Sequence, residues 1–221
     1  MVLGHSFSRR LQLFCRNAGL ANLYLDSAEV EFLCQDPAGI KVSDVGQWRD
    51  QIVLLQPHLV IMFIGENDIT DLTDPYRLAK EIIDMAESLV WSRDCTVIIS
   101  QLMPRYYSPN YRYFVNNYNA LAQDTNFFLC SLEWPLQVKC WSHDFICQAQ
   151  GKSLNFKDAS RFFGQDGVHL NDEGHGRLAK SLFKACLKFR FWGVSWACLR
   201  FAFFFHVYFW DVYYSLSSAW R

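Results

Sequence analysis

His58-Leu59-Val60-Ile61-Met62-Phe63-Ile64, followed at once by Gly65-Glu66-Asn67-Asp68, is the stretch that decides the fold. A continuous apolar run of strand length, closed by a glycine and polar turn formers, reads as a strand buried on both faces, as parallel sheets require. Upstream, Val45, Trp48, Ile52 and Leu55 recur at helical spacing between Ser43 and Leu55, and Gln56-Pro57 ends that helix. Before it, Glu29 to Cys34 reads as a second strand, left through the loop Gln35-Asp36-Pro37-Ala38-Gly39. Met1-Val2-Leu3 reads as a strand end that turns sharply at Gly4-His5-Ser6, with Ser8 capping a helix from Arg9 to Asn17. Either the fold makes do with this stub, or the first strand is normally longer, which would weaken the sheet beside Ser6.

Downstream, Pro75 opens a helix to about Ser92, with Leu78, Ile82, Met85, Ala86 and Leu89 on one face. Thr96 to Ser100 is the next strand, Tyr111 to Asp124 a helix, and Asn126 to Ser131 a further short strand. Cys140 to Phe163 reads as mostly irregular, and the last helix as Gly176 to Leu187. This alternation predicts one α/β domain with a central parallel sheet covered by helices on both faces, whose sites form beyond the carboxyl ends of the strands. Gly4, Gly39 and Gly65 fall at that edge. The domain is expected to span 1–187, leaving 188–221 as an aromatic-rich tail outside it. Arg200 interrupts the tail, which makes it a poor membrane span against the need for about 20 predominantly apolar residues, while an interfacial membrane contact stays open.

The totals narrow the partners. With 221 residues and a formal charge of -1, the chain suits one core and has no basic footprint for nucleic acid. The 8 cysteines form no C-x-x-C and no disulfide framework, and the opening residues lack the features of a signal peptide. A reducing cytoplasmic setting is the expected default.

Asp166-Gly167-Val168-His169 sets a carboxylate close enough to an imidazole to orient it. A carboxylate accepting Nδ1–H fixes the tautomer and leaves Nε2 free to take a proton from a hydroxyl, which is half of a nucleophilic site. In order along the chain, Gly4-His5-Ser6, Gly39, Gly65-Glu66-Asn67-Asp68 and Asp166-Gly167-Val168-His169 resemble the blocks of the SGNH (GDSL-type) hydrolase family over residues 1 to about 187. Within it, Gly4-His5-Ser6-Phe7 with Arg9-Arg10, and Trp141-x-His143, are most similar to the esterase-type domains of LINE-type retrotransposons and related invertebrate proteins.

The resemblance implies a flavodoxin-like three-layer sandwich and a serine esterase acting on a small-molecule carboxylic ester, short acyl or acetyl, without metal or organic cofactor. It implies Ser6 as nucleophile, His169 as general base and then acid, and Asp166 as orienter. The implied oxyanion donors are the Ser6 N–H, the Gly39 N–H and the Asn67 side chain. His5 stands where the broad family has aspartate and is expected to point away from Ser6. Glu66, His5 and His143 are further substrate-cleft candidates, His143 packing in or rimming the cleft.

Rival readings are weaker. Gly4-His-Ser6-Phe-Ser8 and Gly193-Val-Ser195-Trp-Ala197 both lack the second glycine of the G-x-S-x-G elbow. Cys140, His143, Asp144 and Cys147 have no standard zinc spacing. The alternative of a different class is a module that keeps the fold but only binds a glycan, a lipid surface or a protein partner.

Overall fold

The protein is described from a computed structural model, covering residues 1–25, 30–34, 39–106, 112–132, 134–150 and 153–190. Strands β1 (Val2–Gly4), β2 (Phe32–Cys34), β3 (Leu59–Phe63), β4 (Thr96–Ser100) and β5 (Val138–Trp141) form one parallel sheet in the order β2-β1-β3-β4-β5. Around it lie α1 (Ser6–Asn17), α2 (Arg49–Leu55), α3 (Pro75–Ser88), α4 (Arg112–Ser131) and α5 (Asp172–Arg190).

The alternation along β3 makes the layers. Val60, Met62 and Ile64 join Leu78, Ile82 and Tyr118 in one core, while Ile61 and Phe63 join Leu11, Leu178 and Leu182 in the other. Helices α3 and α4 therefore cover one face of the sheet, and α1 and α5 the other. Each such aliphatic side chain, fully buried, contributes about 1.5 to 3 kcal/mol of transfer free energy. The fold is the three-layer α/β sandwich that the alternation predicts.

β1 is as short as the sequence says, yet it is a buried central strand and no weak edge. Val2 is in register with Phe32 on one side and with Ile61 on the other. The strand has to end at a glycine. Gly4 has φ +150°, and a Cβ there would stand 2.4 Å from the Phe63 carbonyl oxygen. β3 leaves through Gly65 in the same way, at φ +107°, where a Cβ would meet Ile82 Cδ1 at 2.7 Å. Both turns open onto the carboxyl edge.

Several boundaries differ from expectation. α1 begins at Ser6, and Ser8 lies inside its first turn, its Oγ donating to the His5 carbonyl oxygen at 2.8 Å. The 43–55 segment starts as a 3₁₀ helix, Val42–Trp48, before continuing as α2. Asn126 to Ser131 is the end of α4 and no strand. Buried Tyr118, Ala122, Thr125, Asn126 and Leu129 recur at helical spacing, and that packing overrides the β preference of the Phe127-Phe128 pair.

The fifth strand is Val138–Trp141 instead, in register with β4 from Val97↔Val138 to Ser100↔Trp141. The segment expected to be irregular holds an antiparallel hairpin, β6 (Cys147–Gln150) with β7 (Ser153–Phe156). α5 starts at Asp172, with the Gly174 N–H donating to Asn171 Oδ1 at 2.9 Å, and runs through buried Phe189 to Arg190. The first residues set apart as tail thus continue the helix. Residues 191–221 lie outside the described residues, as does the membrane contact left open for them. No helix among the described residues is long and apolar enough to cross a membrane.

Candidate active site

Ser6 stands where β1 turns into α1, as the first residue of the helix. Its N–H is among the first-turn amides that a helix leaves without an internal acceptor, at the positive end of the helix dipole. The turn is compact because Gly4 lets the backbone pass against Phe63.

Asp166 and His169 come from the turn before α5. Asp166 Oδ1 accepts the backbone N–H of Val168 and of His169, each at 2.9 Å, and Gly167 supplies the left-handed step at φ +63°. Gly164 N–H then donates to the His169 carbonyl oxygen at 2.7 Å, closing the loop. With one oxygen pinned to the backbone, Oδ2 is left to face His169 Nδ1 at 2.7 Å. His169 Nε2 lies 2.9 Å from Ser6 Oγ, across 163 residues of sequence.

Burial raises the Asp166 pKa, but the two backbone N–H groups and the His169 ring outweigh it and hold the carboxyl at about 2. Asp166 is therefore ionised wherever the imidazole beside it can be neutral. The Asp166 side chain is 45% exposed and that of His169 20%, so the pair sits on an accessible rim. Arg10 Nη2 reaches Asp166 Oδ2 at 4.0 Å.

The block after β3 ties down the neighbouring loop. Asn67 Nδ2 donates to the Ile40 carbonyl oxygen at 3.0 Å, and the Val42 N–H donates to both Asp68 carboxylate oxygens, at 3.3 and 3.2 Å. Burial pushes Asp68 up to about 6, against the pull of that hydrogen bond. An amide NH₂ carries two donors, so one Asn67 hydrogen is left for a ligand. Asn67 faces a small cleft lined also by His5, Ser6, Phe7, Glu66, Met103, Pro104, Arg105, Tyr118 and Val168.

Gly39 is exposed, with φ +118°, and does not line that cleft. It stands one residue from the Ile40 carbonyl that Asn67 holds. Met103, Pro104, Arg105 and Tyr118 were not legible as cleft residues. The residues just past β4 could have been found, because Gln101 to Arg105 leaves a strand at the carboxyl edge where such folds build sites.

Two histidines depart from expectation. His5 does not point away from Ser6: its Nδ1 lies 3.4 Å from Ser6 Oγ, and its Nε2 lies 2.9 Å from Glu66 Oε2. His143 neither lines nor rims the cleft. It is fully buried between Ser100 Oγ, 2.9 Å from Nε2, and Ser181 Oγ, 2.8 Å from Nδ1, and burial pushes it down to about 3. Trp141 Nε1 donates to the same Ser181 hydroxyl at 3.0 Å, so the Trp141-x-His143 pattern joins β5 to α5. No three metal-ligating side chains converge among the described residues.

The carboxyl edge of the parallel sheet thus carries a hydroxyl, an imidazole and a carboxylate in line, an arrangement shared by serine hydrolases of several folds. The profile of the GDSL-like Lipase/Acylhydrolase family matches residues 9–182, and the chain belongs to that family. The match begins just after Ser6. Solved structures agree in fold at low identity. A GDSL-like lipase from Bacteroides thetaiotaomicron VPI-5482 is 17% identical, with a TM-score of 0.56 over 85% of this chain and 86% of its own. A lipase/acylhydrolase from Enterococcus faecalis is also 17% identical, with a TM-score of 0.52 over 84% of this chain and 93% of its own. A carbohydrate esterase family 3 protein from Talaromyces cellulolyticus is 16% identical, with a TM-score of 0.53 over 85% and 95%. Among curated proteins, none matches the chain in sequence.

Proposed function

We infer that this chain hydrolyses a carboxylic ester with a short acyl group, acetyl foremost, through Ser6, His169 and Asp166. The observation that carries this reading is the unbroken line from Asp166 Oδ2 through His169 to Ser6 Oγ, at 2.7 and 2.9 Å. Ser6 Oγ attacks the ester carbonyl carbon as its proton passes to His169 Nε2, and Asp166 stabilises the imidazolium that forms. The tetrahedral oxyanion takes hydrogen bonds from the Ser6 N–H and the free Asn67 amide hydrogen. His169 then gives its proton to the leaving alcohol, and water repeats the sequence on the acyl-enzyme.

Each such donor contributes about 3 to 4 kcal/mol to the transition state. The Gly39 N–H is the third donor proposed for this hole, one residue from the Ile40 carbonyl that Asn67 holds. Phe7, Met103, Pro104 and Tyr118 wall the cleft closely, which favours a short acyl chain over a long one. The substrate is a small-molecule ester.

The same reading places the chain beside the esterase-type domains of LINE-type retrotransposons, on Gly4-His5-Ser6-Phe7 and Trp141-x-His143. A fluorophosphonate probe tests the chemistry. It is expected to label the wild type at Ser6, and p-nitrophenyl esters are expected to lose kcat/KM as the acyl chain lengthens beyond acetyl and propionyl. A well-folded chain that takes no label overturns this reading in favour of a module that only binds.

A further inference from the structure

Ser6 Oγ has a second imidazole beside it, and that imidazole has a carboxylate of its own. His5 Nδ1 approaches Ser6 Oγ at 3.4 Å, while His5 Nε2 meets Glu66 Oε2 at 2.9 Å. Both side chains are all but sealed from water, at 3% and 4% exposure. The other Glu66 oxygen, Oε1, accepts the Met103 N–H at 3.3 Å, which anchors the carboxylate to the backbone leaving β4. The Phe7 ring lies edge-on to His5 at 5.5 Å between centroids and also meets the His169 ring at 5.8 Å. Two imidazole–carboxylate couples therefore converge on one hydroxyl oxygen.

A hydroxyl has one proton to give. If His5 carried a bare Nδ1, it would compete with His169 for that proton. The conflict disappears when both His5 nitrogens are protonated. Nε2–H then donates to Glu66, Nδ1–H donates to a Ser6 lone pair, and the hydroxyl hydrogen is directed at His169 Nε2. Burial by itself would push the Glu66 carboxyl up, but the His5 ring and the Met103 N–H outweigh it and hold the carboxyl below its ordinary value, so an anion faces Nε2.

We propose that His5 is an imidazolium, held by Glu66, that donates to Ser6 Oγ and aims the serine proton at His169. His5 is then a catalytic residue of the nucleophile, and Glu66 a positioning residue acting through it. The catalytic part rests on the esterase reading above; the protonation state does not. In acylation Oγ bonds to the carbonyl carbon, the carbonyl π pair moves onto its oxygen, and the serine proton goes to His169. His5 gains and loses nothing. In deacylation the C–Oγ bond breaks with its electron pair going to Oγ, which His5 stabilises until His169 returns the proton.

The other charged or titratable groups facing the couple are His169 with Asp166 beyond Ser6, Arg105, Tyr118 and Asp68. Arg105 Nη2 donates to the Glu66 carbonyl oxygen at 3.4 Å, and Arg105 Cζ lies 3.9 Å from the centroid of the Tyr118 ring. Asp68 stands two residues beyond Glu66 in the same turn. None of these has an acceptor on the His5 ring nitrogens, both of which are already taken.

The test is ¹⁵N NMR of the full chain labelled at histidine, at pH 7, with the His5 resonances assigned by their loss in His5→Asn. Both His5 nitrogens are expected to carry protons in the wild type, and only one in Glu66→Gln. Glu66→Gln is also expected to lower kcat on an acetyl ester by about 10- to 100-fold with KM nearly unchanged, the range of one charge-assisted hydrogen bond. Glu66→Asp should restore part of that loss. An unprotonated Nδ1 in the wild type overturns the proposal, and that measurement stands even if Glu66→Gln fails to fold. A folded Glu66→Gln with unchanged kcat overturns the catalytic part. A wild type that carries the imidazolium yet neither turns over nor labels overturns the esterase reading and His5's catalytic part with it, leaving the buried couple as a structural feature.

Discussion

His169 and His143 each present Nε2 at 2.9 Å from a serine hydroxyl, Ser6 in one case and Ser100 in the other. The distances are the same and the surroundings are not. Behind His169 stands a carboxylate at 2.7 Å, on a rim that water and a substrate can reach. Behind His143 stands a second hydroxyl, that of Ser181, and the ring is fully buried. Taking a proton would leave His143 a cation with no anion beside it in a dry core, which is why burial pushes its pKa down to about 3. A hydroxyl–imidazole contact makes a nucleophile only where the imidazolium that follows has somewhere to rest its charge.

The sharpest way to break this comparison is to remove each serine in turn. Ser6→Ala should abolish fluorophosphonate labelling and lower kcat/KM by roughly 10⁴-fold or more. Ser100→Ala should leave labelling within a few-fold of wild type and show its effect in melting temperature. If Ser100→Ala silences the enzyme while folded, the contrast fails.

Asp166→Asn tests the carboxylate alone. Its amide can present its NH₂ to Nδ1 and favour the wrong tautomer, so kcat should drop by roughly 10²- to 10³-fold, less than for a sealed aspartate because water reaches the site. Since Asp166 is held at about 2, its stabilising contribution is present above the ordinary aspartate value of about 3.9 and is lost between there and about 2. Asp166 should therefore contribute no limb to a pH–rate profile above about pH 4. A limb at neutral acidity that vanishes in Asp166→Asn would contradict this.

The His143 side of the comparison predicts stability and not rate. An imidazole near 3 when folded and about 6.5 when unfolded binds its proton first in the unfolded chain. Stability should fall as pH drops from about 6.5 toward 3. His143→Gln should be less stable at pH 7 by about 1 to 3 kcal/mol but lose less on acidification, as urea midpoints at pH 7 and pH 5 would show.

The smallest effect concerns Asp68, which burial raises to about 6. Between about 3.9 and 6 the folded state holds this proton more tightly than the unfolded one, so stability declines as pH rises through that window. Asp68→Asn keeps an acceptor for the Val42 N–H and should match or slightly exceed wild-type stability at pH 8, with the gap closing below pH 4.

Much of the fold was legible because it is written locally. The apolar run before Gly65 is buried on both faces, and the stripe Leu78, Ile82 and Ala86 of α3 faces the core. The glycines at the ends of β1 and β3 are required where a Cβ would strike Phe63 or Ile82. Ser6, Asp166 and His169 were legible as candidates from the order of their blocks, and the fold brings the three side chains within hydrogen-bond reach. The 126–131 segment was misread because Phe127-Phe128-Leu129 satisfies a short strand as well as a helix end. Only packing of Leu129 beside Tyr118 and Ala122 chose between them.

The sequence by itself determined the alternation of strands and helices and the residue types that gather at the carboxyl edge. Only the tertiary structure decided that His5 turns toward Ser6 and Glu66 and that His143 sinks between two serines. The reason is physical. Periodicity records which side of an element is buried, whereas the partner of a polar side chain depends on strand order, register and burial, which residues far apart in the chain set together.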